Sequence, residues 1–299
     1  MKFIISGSTG YIGSNLTQAV LKAGGKVLGI NRRNTHKELG LASYKSIHYE
    51  NMLSYDFSGY DIFVNCAGVA HQNSVNAFNA ESFYFNSFVV NGLYELAAAA
   101  KVKRFVNISS ASVYAPNTSA AGLGELSETI PSTIYGFSKL TGEQLLIKSS
   151  EKFKGTQLLN LRPPIIYGID APGNVANLAK LRSLGIPLPI KQCSGVRSIL
   201  HIQNLISFIL FSSTVNYNGI KSLNIADLHP VNALTFTQIL DSLDDVKTKV
   251  FYLPESFIAS ICRIIKKPGI YEKLYNDFIL DTSLLEKNFD WRPVPFYNQ

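Results

Sequence analysis

The chain has 299 residues, of which 46% are hydrophobic and 16% are charged, and its formal net charge is +7 at pH 7. This length predicts one large domain or two small ones, and no apolar run approaches the ~20 residues that a membrane span needs. The basic residues form only short clusters without interleaved aromatic side chains, which argues against nucleic-acid binding, whereas the positive charge suits anionic cofactors and substrates.

The beginning of the chain predicts a strand rather than a targeting segment. Its short apolar run, residues 1–6, leads directly into a glycine-rich turn, so it is not typical of a signal peptide. We therefore expect a cytoplasmic protein without membrane insertion. Three widely separated cysteines lack the spacing of a disulfide framework or a zinc site, and no metal is expected.

Apolar strands then alternate with helical patterns through the first half of the chain. Strands are predicted at Lys2–Ser6, Lys26–Ile30, Ser46–Tyr49, Asp61–Asn65, Arg104–Ser109 and Thr156–Leu161. Helices are predicted near Tyr11–Ala23, over Ser82–Lys101, and from about Tyr135 to Lys152. This alternation predicts an α/β fold, a Rossmann-type doubly wound parallel sheet, whose ligands lie beyond the carboxyl ends of the strands.

A glycine-rich turn directly follows the first predicted strand. Gly7, Gly10 and Gly13 have the spacing Gly-x-x-Gly-x-x-Gly, and Tyr11 and Ile12 stand between the last two at the start of a helix. Such a turn lets backbone approach a phosphate, and the amides that begin the helix would hold a pyrophosphate. Glycines also simply make turns, but this position between a strand and a helix favours dinucleotide binding.

Residues after the second and fourth strands bear on the choice of cofactor. Asn31, Arg32 and Arg33 stand where an acidic residue normally holds the adenosine ribose. Guanidinium groups pair with a 2′-phosphate that a carboxylate would repel, so these residues favour NADP over NAD; the alternative is that both arginines are solvated loop residues. Ala67 and Gly68 are small enough for backbone to pass a cofactor, although a plain tight turn would use the same residues.

Tyr135 and Lys139 have the spacing that places two side chains on one face of a helix. A free tyrosine, with a pKa of about 10, is a poor base at neutral pH, and a nearby ammonium and an oxidised nicotinamide would lower that pKa. The pair therefore predicts proton transfer beside a nicotinamide, with Lys139 also holding the ribose. Tyr217 and Lys221 have the same spacing but enclose the turn signal Asn218-Gly219.

Ser110 follows the fifth predicted strand and completes a catalytic set with Tyr135 and Lys139. Its hydroxyl would hydrogen-bond the same substrate oxygen and orient it. A serine after a strand is more often a turn-former, but the tyrosine pair favours the catalytic role. A binding module that only senses NAD(P) would need none of the three.

These residues resemble the extended short-chain dehydrogenase/reductases, the nucleotide-sugar epimerase/dehydratase group. Further shared motifs extend the resemblance over essentially the whole chain: Ser109-Ser110-x-Ser112-Val113-Tyr114, Leu161-Arg162-Pro163, Tyr167-Gly168, Arg197-Ser198-x-x-His201-Ile202 and Trp291-Arg292-Pro293. The resemblance implies that Tyr135 is the acid/base, that Ser110 assists it and that Lys139 lowers its pKa. It also implies that Arg197 contacts the diphosphate of a UDP-linked sugar, that Ser112 contacts the sugar, and that two long helices join a homodimer.

Departures from the group's patterns narrow the reaction. Ala111 and Ser112 stand where the dehydratases carry Asp-Glu, and Ile165 stands where typical UDP-galactose 4-epimerases carry Asn. The residues resemble instead the 4-keto-reductases that make UDP-N-acetylquinovosamine-type sugars for bacterial surface polysaccharides. We therefore predict NAD(P)-dependent reduction of a UDP-4-keto-6-deoxy-hexose or hexosamine, with Tyr135 as proton donor. The alternative is a UDP-glucose or UDP-N-acetylglucosamine 4-epimerase with tightly bound NAD.

After about Arg162 prolines punctuate the chain, and the predicted elements become short and irregular. We predict that residues 1–162 form the NAD(P)-binding Rossmann domain. Residues 163–299 then form a smaller substrate-binding lobe that is interleaved with the sheet and closes over the substrate.

Overall fold

A computed structural model describes residues 1–32, 44–69, 80–115, 122–217 and 221–296. The strands are β1 (Lys2–Ser6), β2 (Lys26–Asn31), β3 (Tyr44–His48), β4 (Ile62–Asn65), β5 (Arg104–Ile108), β6 (Gln157–Arg162), β7 (Ile165–Tyr167), β8 (Ile199–His201) and β9 (Ser222–Asn224). The α-helices are α1 (Tyr11–Lys22), α2 (Ala80–Tyr84), α3 (Val90–Ala99), α4 (Ile134–Lys152), α5 (Asn174–Ser183), α6 (Ile202–Ser212), α7 (Ala233–Asp244), α8 (Glu255–Ile264), α9 (Pro268–Tyr275) and α10 (Ser283–Asn288).

Seven strands form the main sheet in the order β3-β2-β1-β4-β5-β6-β9, and β7 pairs with β8 in a separate sheet. Every pair of neighbouring strands in the main sheet is parallel. The chain order reverses between β1 and β4, which is where ligands bind in doubly wound sheets. The predicted Rossmann-type parallel sheet is confirmed, and its crevice lies beyond the glycine-rich turn.

Helices cover both faces of the sheet. On one face, α1 and α6 pack with the sheet around a core that includes Leu16, Leu205 and Phe208. On the other face, α3 and α4 pack around Leu93, Tyr94 and Leu146. Two buried faces explain why the central strands are nearly continuous apolar runs.

A row of buried polar side chains interrupts those runs near the carboxyl ends of the central strands. The Ser6 hydroxyl donates to the Asn65 Oδ1 at 2.5 Å, Asn65 Nδ2 donates to Asn107 Oδ1 at 2.9 Å, and Asn107 Nδ2 donates to Asn160 Oδ1 at 2.9 Å. The four residues are register partners on β1, β4, β5 and β6. Because a slip of one residue would turn each side chain to the opposite face, the row specifies the register beside the crevice.

The second half of the chain is interleaved with the first. β9 extends the main sheet beside β6, and α6 contributes to the core under α1. A small separate core lies among α8 and the segments around it, and it contains Leu188, Ile190, Cys193, Ile258 and Cys262. The main sheet therefore contains strands from both sides of residue 162. The division of the chain at that residue into a cofactor-binding domain and a substrate-binding lobe stays a prediction. Within the described ranges, no helix is both long and apolar enough to cross a membrane.

One predicted helix has a different form. The segment predicted as a continuous helix over Ser82–Lys101 consists of α2, a π-helical turn at Phe85–Val89, and α3. Such turns often occur at functional sites, and this one contacts α4 through a hydrogen bond from Asn86 to Ser138.

Candidate active site

A cleft of about 260 Å³ opens beyond the carboxyl ends of β1, β2 and β4. Gly7, Gly10, Ala67 and Gly68, four of the residues predicted to bind the cofactor, all line it. Gly7 has a φ of +69°, and a Cβ there would lie 2.9 Å from the Ala67 Cα. A Cβ on Gly13 would lie 2.1 Å from the Gly7 carbonyl oxygen. Both positions therefore require glycine for the turn to pack against α1 and the end of β4.

The start of α1 is suited to an anion. Gly10 is the N-cap residue, no side chain caps the helix, and its first turn contains no acidic residue. The first amides of a helix lack partners within it and carry partial positive charge. Tyr11 and Ile12 would thus contribute backbone N–H groups, while both side chains pack against the core. These features fit the pyrophosphate of a dinucleotide.

The two described residues at the end of β2, Asn31 and Arg32, differ in their burial. The Asn31 side chain is buried and holds the turn itself: its Oδ1 accepts from the Thr9 amide at 3.2 Å, and its Nδ2 donates to the Ser8 hydroxyl at 3.0 Å. Arg32 is exposed at the rim of the cleft, 5.8 Å from the Phe85 ring centroid. Arg33 lies outside the described residues. Of the two arginines predicted to bind a 2′-phosphate, Arg32 is thus the one within the described residues, and it lines the cleft.

The predicted catalytic pair, Tyr135 and Lys139, lies at the beginning of α4. Thr133 caps this helix by accepting a hydrogen bond from the Gly136 amide at 3.0 Å. Lys139 is buried, its Nζ donates to the Ile108 carbonyl oxygen at 3.0 Å, and it lies 6.0 Å from the Tyr135 ring centroid. A Cβ on Gly68 would lie 3.0 Å from the same Nζ. The lysine thus links the catalytic helix with the cofactor cleft.

Burial dominates the acid–base properties of both side chains. It raises the pKa of Tyr135 to about 12, and a hydrogen bond with Ser110 opposes that rise. Burial also lowers the pKa of Lys139 to about 8, against the charge of Glu143. The lowering of the Tyr135 pKa by Lys139 and an oxidised nicotinamide concerns the enzyme with its cofactor bound and stays a prediction. At neutral pH the phenol is a proton donor and the lysine is charged.

The serine turn lies against the same helix. The Ser110 hydroxyl accepts from the Ser112 amide and donates to the Ser112 hydroxyl, both at 3.1 Å, at the start of a 3₁₀ turn. A Cβ on Gly136 would lie 2.3 Å from the Ser112 carbonyl oxygen, so the turn packs directly on α4. The structure therefore brings Ser110, Ser112, Tyr135 and Lys139 together.

Arg197 reaches this turn indirectly. Its guanidinium carbon lies 4.9 Å from the Phe278 ring centroid, and its Nη1 donates to the Asn276 carbonyl oxygen at 3.2 Å. Burial lowers the pKa of Arg197, against the charge of Asp277. Phe278 belongs to a small apolar cluster with Ala111, which immediately follows Ser110. Arg197, which is predicted to bind a diphosphate, thus packs on Phe278, and Phe278 in turn packs near Ala111 of the serine turn.

A buried ion pair beside the catalytic helix was not predicted. Glu143 is 1% exposed, and its Oε2 lies 2.6 Å from the Arg162 Nη2. The carboxylate also accepts from the Ser109 hydroxyl, and the Arg162 Nη1 donates to the Tyr114 hydroxyl at 2.8 Å. Burial alone would lower the Arg162 pKa, but the bonds to Glu143 raise it. Glu143 follows Lys139 by four residues, so the spacing in the sequence could have indicated that the two side chains are neighbours on one helix face.

Asn86 is a second residue that sequence reasoning missed. Its side chain accepts from the Val69 amide at 2.8 Å and donates to the Val69 carbonyl and the Ser138 hydroxyl at 3.0 and 3.1 Å. Asn86 lies in the π-helical turn at Phe85–Val89. Asn86 therefore connects Val69, which lines the cleft, with Ser138 of α4 through hydrogen bonds.

Comparison with known proteins supplies the family context. The model of the NAD dependent epimerase/dehydratase family matches residues 3–226. A UDP-glucose 4-epimerase of Vibrio cholerae is 26% identical over 296 residues, which cover 97% of this chain and 90% of that protein. An N-acetyl-alpha-D-glucosaminyl-diphospho-ditrans,octacis-undecaprenol 4-epimerase of Escherichia coli O157:H7 is 23% identical over 254 residues, covering 84% and 75%.

The fold is also similar to solved structures. The crystal structure of a UDP-glucuronic acid 4-epimerase from Bacillus cereus in complex with NAD has a TM-score of 0.76 to this chain at 22% identity. The similarity covers 99% of this chain and 94% of that structure. At this identity the similarity supports the fold, which agrees with the strand order described above.

Proposed function

The chain belongs to the NAD dependent epimerase/dehydratase family, as the sequence motifs predicted, and from that premise we propose that it reduces the 4-keto group of a UDP-4-keto-6-deoxy-hexose or hexosamine. One observation carries the proposal: Ser110, Tyr135 and Lys139 meet beside a cleft that fits a dinucleotide. Proton and hydride transfer to one carbonyl need an acid, an orienting hydroxyl and a cofactor site together.

Each residue of the set has a separate task. When bound, the nicotinamide supplies the hydride. The Tyr135 phenol, with its pKa raised to about 12, donates its proton to the C4 oxygen of the sugar, and the Ser110 hydroxyl hydrogen-bonds the same oxygen. Lys139, charged at neutral pH, would hold the ribose hydroxyls and stabilise the phenolate that remains after transfer. Arg197 would bind the substrate diphosphate as a fixed cation.

The direction of transfer is supported by departures from the sequence patterns of the dehydratases and epimerases. Ala111 replaces the acidic residue that dehydration needs, and Ile165 replaces the asparagine typical of UDP-galactose 4-epimerases.

A second candidate is 4-epimerisation of a UDP-hexose with permanently bound NAD. It is favoured by the names of the relatives, since both curated proteins described above are 4-epimerases. In that reaction Tyr135 would act first as a base and then as an acid on the C4 oxygen, and the cofactor would return its hydride within one turnover.

The deciding experiment is NAD(P)H absorbance after the protein is mixed with UDP-4-keto-6-deoxy-N-acetylglucosamine, with each cofactor in turn. We expect steady, stoichiometric loss of NAD(P)H, and a roughly 10³-fold lower rate for Tyr135→Phe with unchanged cofactor binding. Absence of loss, together with interconversion of UDP-glucose and UDP-galactose by bound NAD, would establish the epimerase instead. Unchanged turnover in the Tyr135→Phe variant would contradict the assigned acid.

We also propose a preference for NADP, on the position of Arg32. It stands at the cleft rim with its guanidinium exposed, and no acidic residue ends β2. Arg32→Ala is expected to lower kcat/KM with NADPH and to leave the value with NADH nearly unchanged. A wild-type enzyme that strongly prefers NADH would contradict this assignment.

A further inference from the structure

Helix α8 presents apolar side chains to solvent along one strip. Phe257, Ile261 and Ile264 follow one another at the spacing of a single helix face, and they are 61%, 47% and 79% exposed. The adjoining strip of the same helix, with Ile258 and Cys262, is buried against the small core of this lobe. A surface helix normally buries its whole apolar face, so α8 has an apolar strip beyond the one that its own fold covers.

The strip continues on both sides of α8 along the chain. Phe251 and Tyr252 are exposed shortly before the helix, Ile265 is exposed directly after it, and Ile270 is exposed in α9. Phe251 is fixed beside the small core, because its amide donates to the Leu188 carbonyl oxygen at 3.0 Å. A concentration of exposed apolar side chains in one short stretch of chain is typical of a binding surface.

Positive charge accompanies the apolar strip. Residues 247–273 contain six lysines or arginines and two glutamates. Arg263, Lys266 and Lys267 are exposed at the end of α8, and none of the three forms a salt bridge within the described residues. Unpaired cations at the rim of an apolar strip are complementary to anionic lipid headgroups above acyl chains.

We propose that this face, Phe251, Tyr252 and the exposed side of α8 with Lys266 and Lys267, binds the surface of an anionic lipid bilayer. The apolar side chains would enter the boundary between headgroups and acyl chains, and the lysines would pair with the headgroups. A second copy of the chain is a poorer occupant, because a twofold contact would bring the same cations together. Protein interfaces are also depleted of lysine.

The test is co-sedimentation with vesicles of phosphatidylglycerol and phosphatidylcholine, compared with vesicles of phosphatidylcholine alone. We expect binding to the anionic vesicles, and loss of binding as salt rises from about 0.1 M to about 1 M. Lys266→Gln with Lys267→Gln should weaken binding roughly 30-fold, since each cation near the surface contributes about 1 kcal/mol. The matched control is Lys22→Gln with Lys26→Gln, two exposed lysines of the Rossmann domain, which should bind like wild type.

The apolar contribution is tested separately. Ile264→Ser should weaken vesicle binding roughly tenfold or more, from the side-chain area that it withdraws from the bilayer, while thermal stability and turnover stay at wild-type values. No sedimentation with anionic vesicles, or equal loss in the Lys22/Lys26 control, would overturn the proposal. The proposal would also be overturned if the wild-type protein is an oligomer and Ile264→Ser dissociates it. That result would show that this face joins copies of the chain. The assay contains no sugar substrate, so its outcome is independent of the reaction assigned above.

Discussion

Glu143→Gln tests whether the buried ion pair supports the catalytic lysine. The carboxylate accepts from the Ser109 hydroxyl and from the Arg162 guanidinium, with the shortest contact to Arg162 at 2.6 Å. A glutamine keeps the shape but brings its own N–H donors toward the guanidinium. Arg162 would then remain buried without a counter-charge, and this is the costly way to break a pair.

Two effects of this change can be given magnitudes. Removing one partner of a buried pair costs about 3–5 kcal/mol of unfolding free energy. Glu143 also opposes the fall in the Lys139 pKa, which stands at about 8. About nine-tenths of the molecules therefore carry the ammonium at pH 7, and a further fall of about one unit would leave about half of them charged.

The assays are urea unfolding and the pH dependence of NAD(P)H oxidation. Lys139 is charged below its pKa, so activity that needs its charge is lost as pH rises through that value. In Glu143→Gln this limit should move to lower pH. Glu151→Gln, an exposed change on the same helix, is the matched control and should match wild type in both assays.

A double variant separates stability from catalysis. Glu143→Leu with Arg162→Met replaces both charges by apolar groups, which often restores stability, but it leaves Lys139 without its neighbouring carboxylate. We expect much of the unfolding free energy to return while the pH limit stays displaced. If Glu143→Gln unfolds within about 1 kcal/mol of wild type and keeps the wild-type pH profile, the pair supports neither the fold nor the lysine.

Three further predictions follow from other parts of the structure. Wild-type kcat should fall as pH rises through about 8, where Lys139 loses its proton, and Lys139→Arg should remove that limb from the pH profile. Gly13→Ala would place a Cβ 2.1 Å from the Gly7 carbonyl oxygen, so calorimetry should show dinucleotide binding weakened roughly tenfold or more. Tyr84 and Phe88 are 58% and 48% exposed, and their ring centroids lie 5.5 Å apart. We predict that the helical segment that carries them is one of the two that join the homodimer implied by the resemblance. Phe88→Lys should convert a dimer to a monomer in light scattering, and a monomeric wild type would contradict the proposed dimer.

The glycine-rich turn and the catalytic pair were predictable because each depends on residues close together in sequence. β1 was predicted with its observed bounds, and α1 ends one residue earlier than predicted. Strand β3 lies two residues earlier at its start than predicted. It is the edge of the sheet, where a mixed polar and apolar sequence gives a weak alternating pattern. Local signals thus predicted the strand and helix around the glycine-rich turn more accurately than the edge strand of the sheet.

The residues that surround the predicted catalytic side chains make contacts between segments that are distant in sequence. Glu143 and Arg162 lie 19 residues apart on a helix and a strand, and only the packing of α4 on β6 shows that they pair. The π-helical turn around Asn86 likewise depends on hydrogen bonds to Val69 and Ser138. Helix propensity alone predicts an ordinary helix there. Contacts that hold the predicted catalytic residues in place are therefore harder to predict from the sequence than local elements are.

The polar row in the sheet shows how polar residues within otherwise apolar strands indicate the position of a site. Asn65, Asn107 and Asn160 occupy strands that are otherwise apolar, and each would be costly if buried alone. Their mutual hydrogen bonds satisfy them only in the observed register. Departures from a local pattern tend to occur where function constrains the chain. This row runs from Ser6, which lines the cleft, to Asn160 on β6, near the carboxyl ends of the strands. An asparagine in each of several neighbouring buried strands thus indicates both the pairing of the strands and the edge at which the ligand binds.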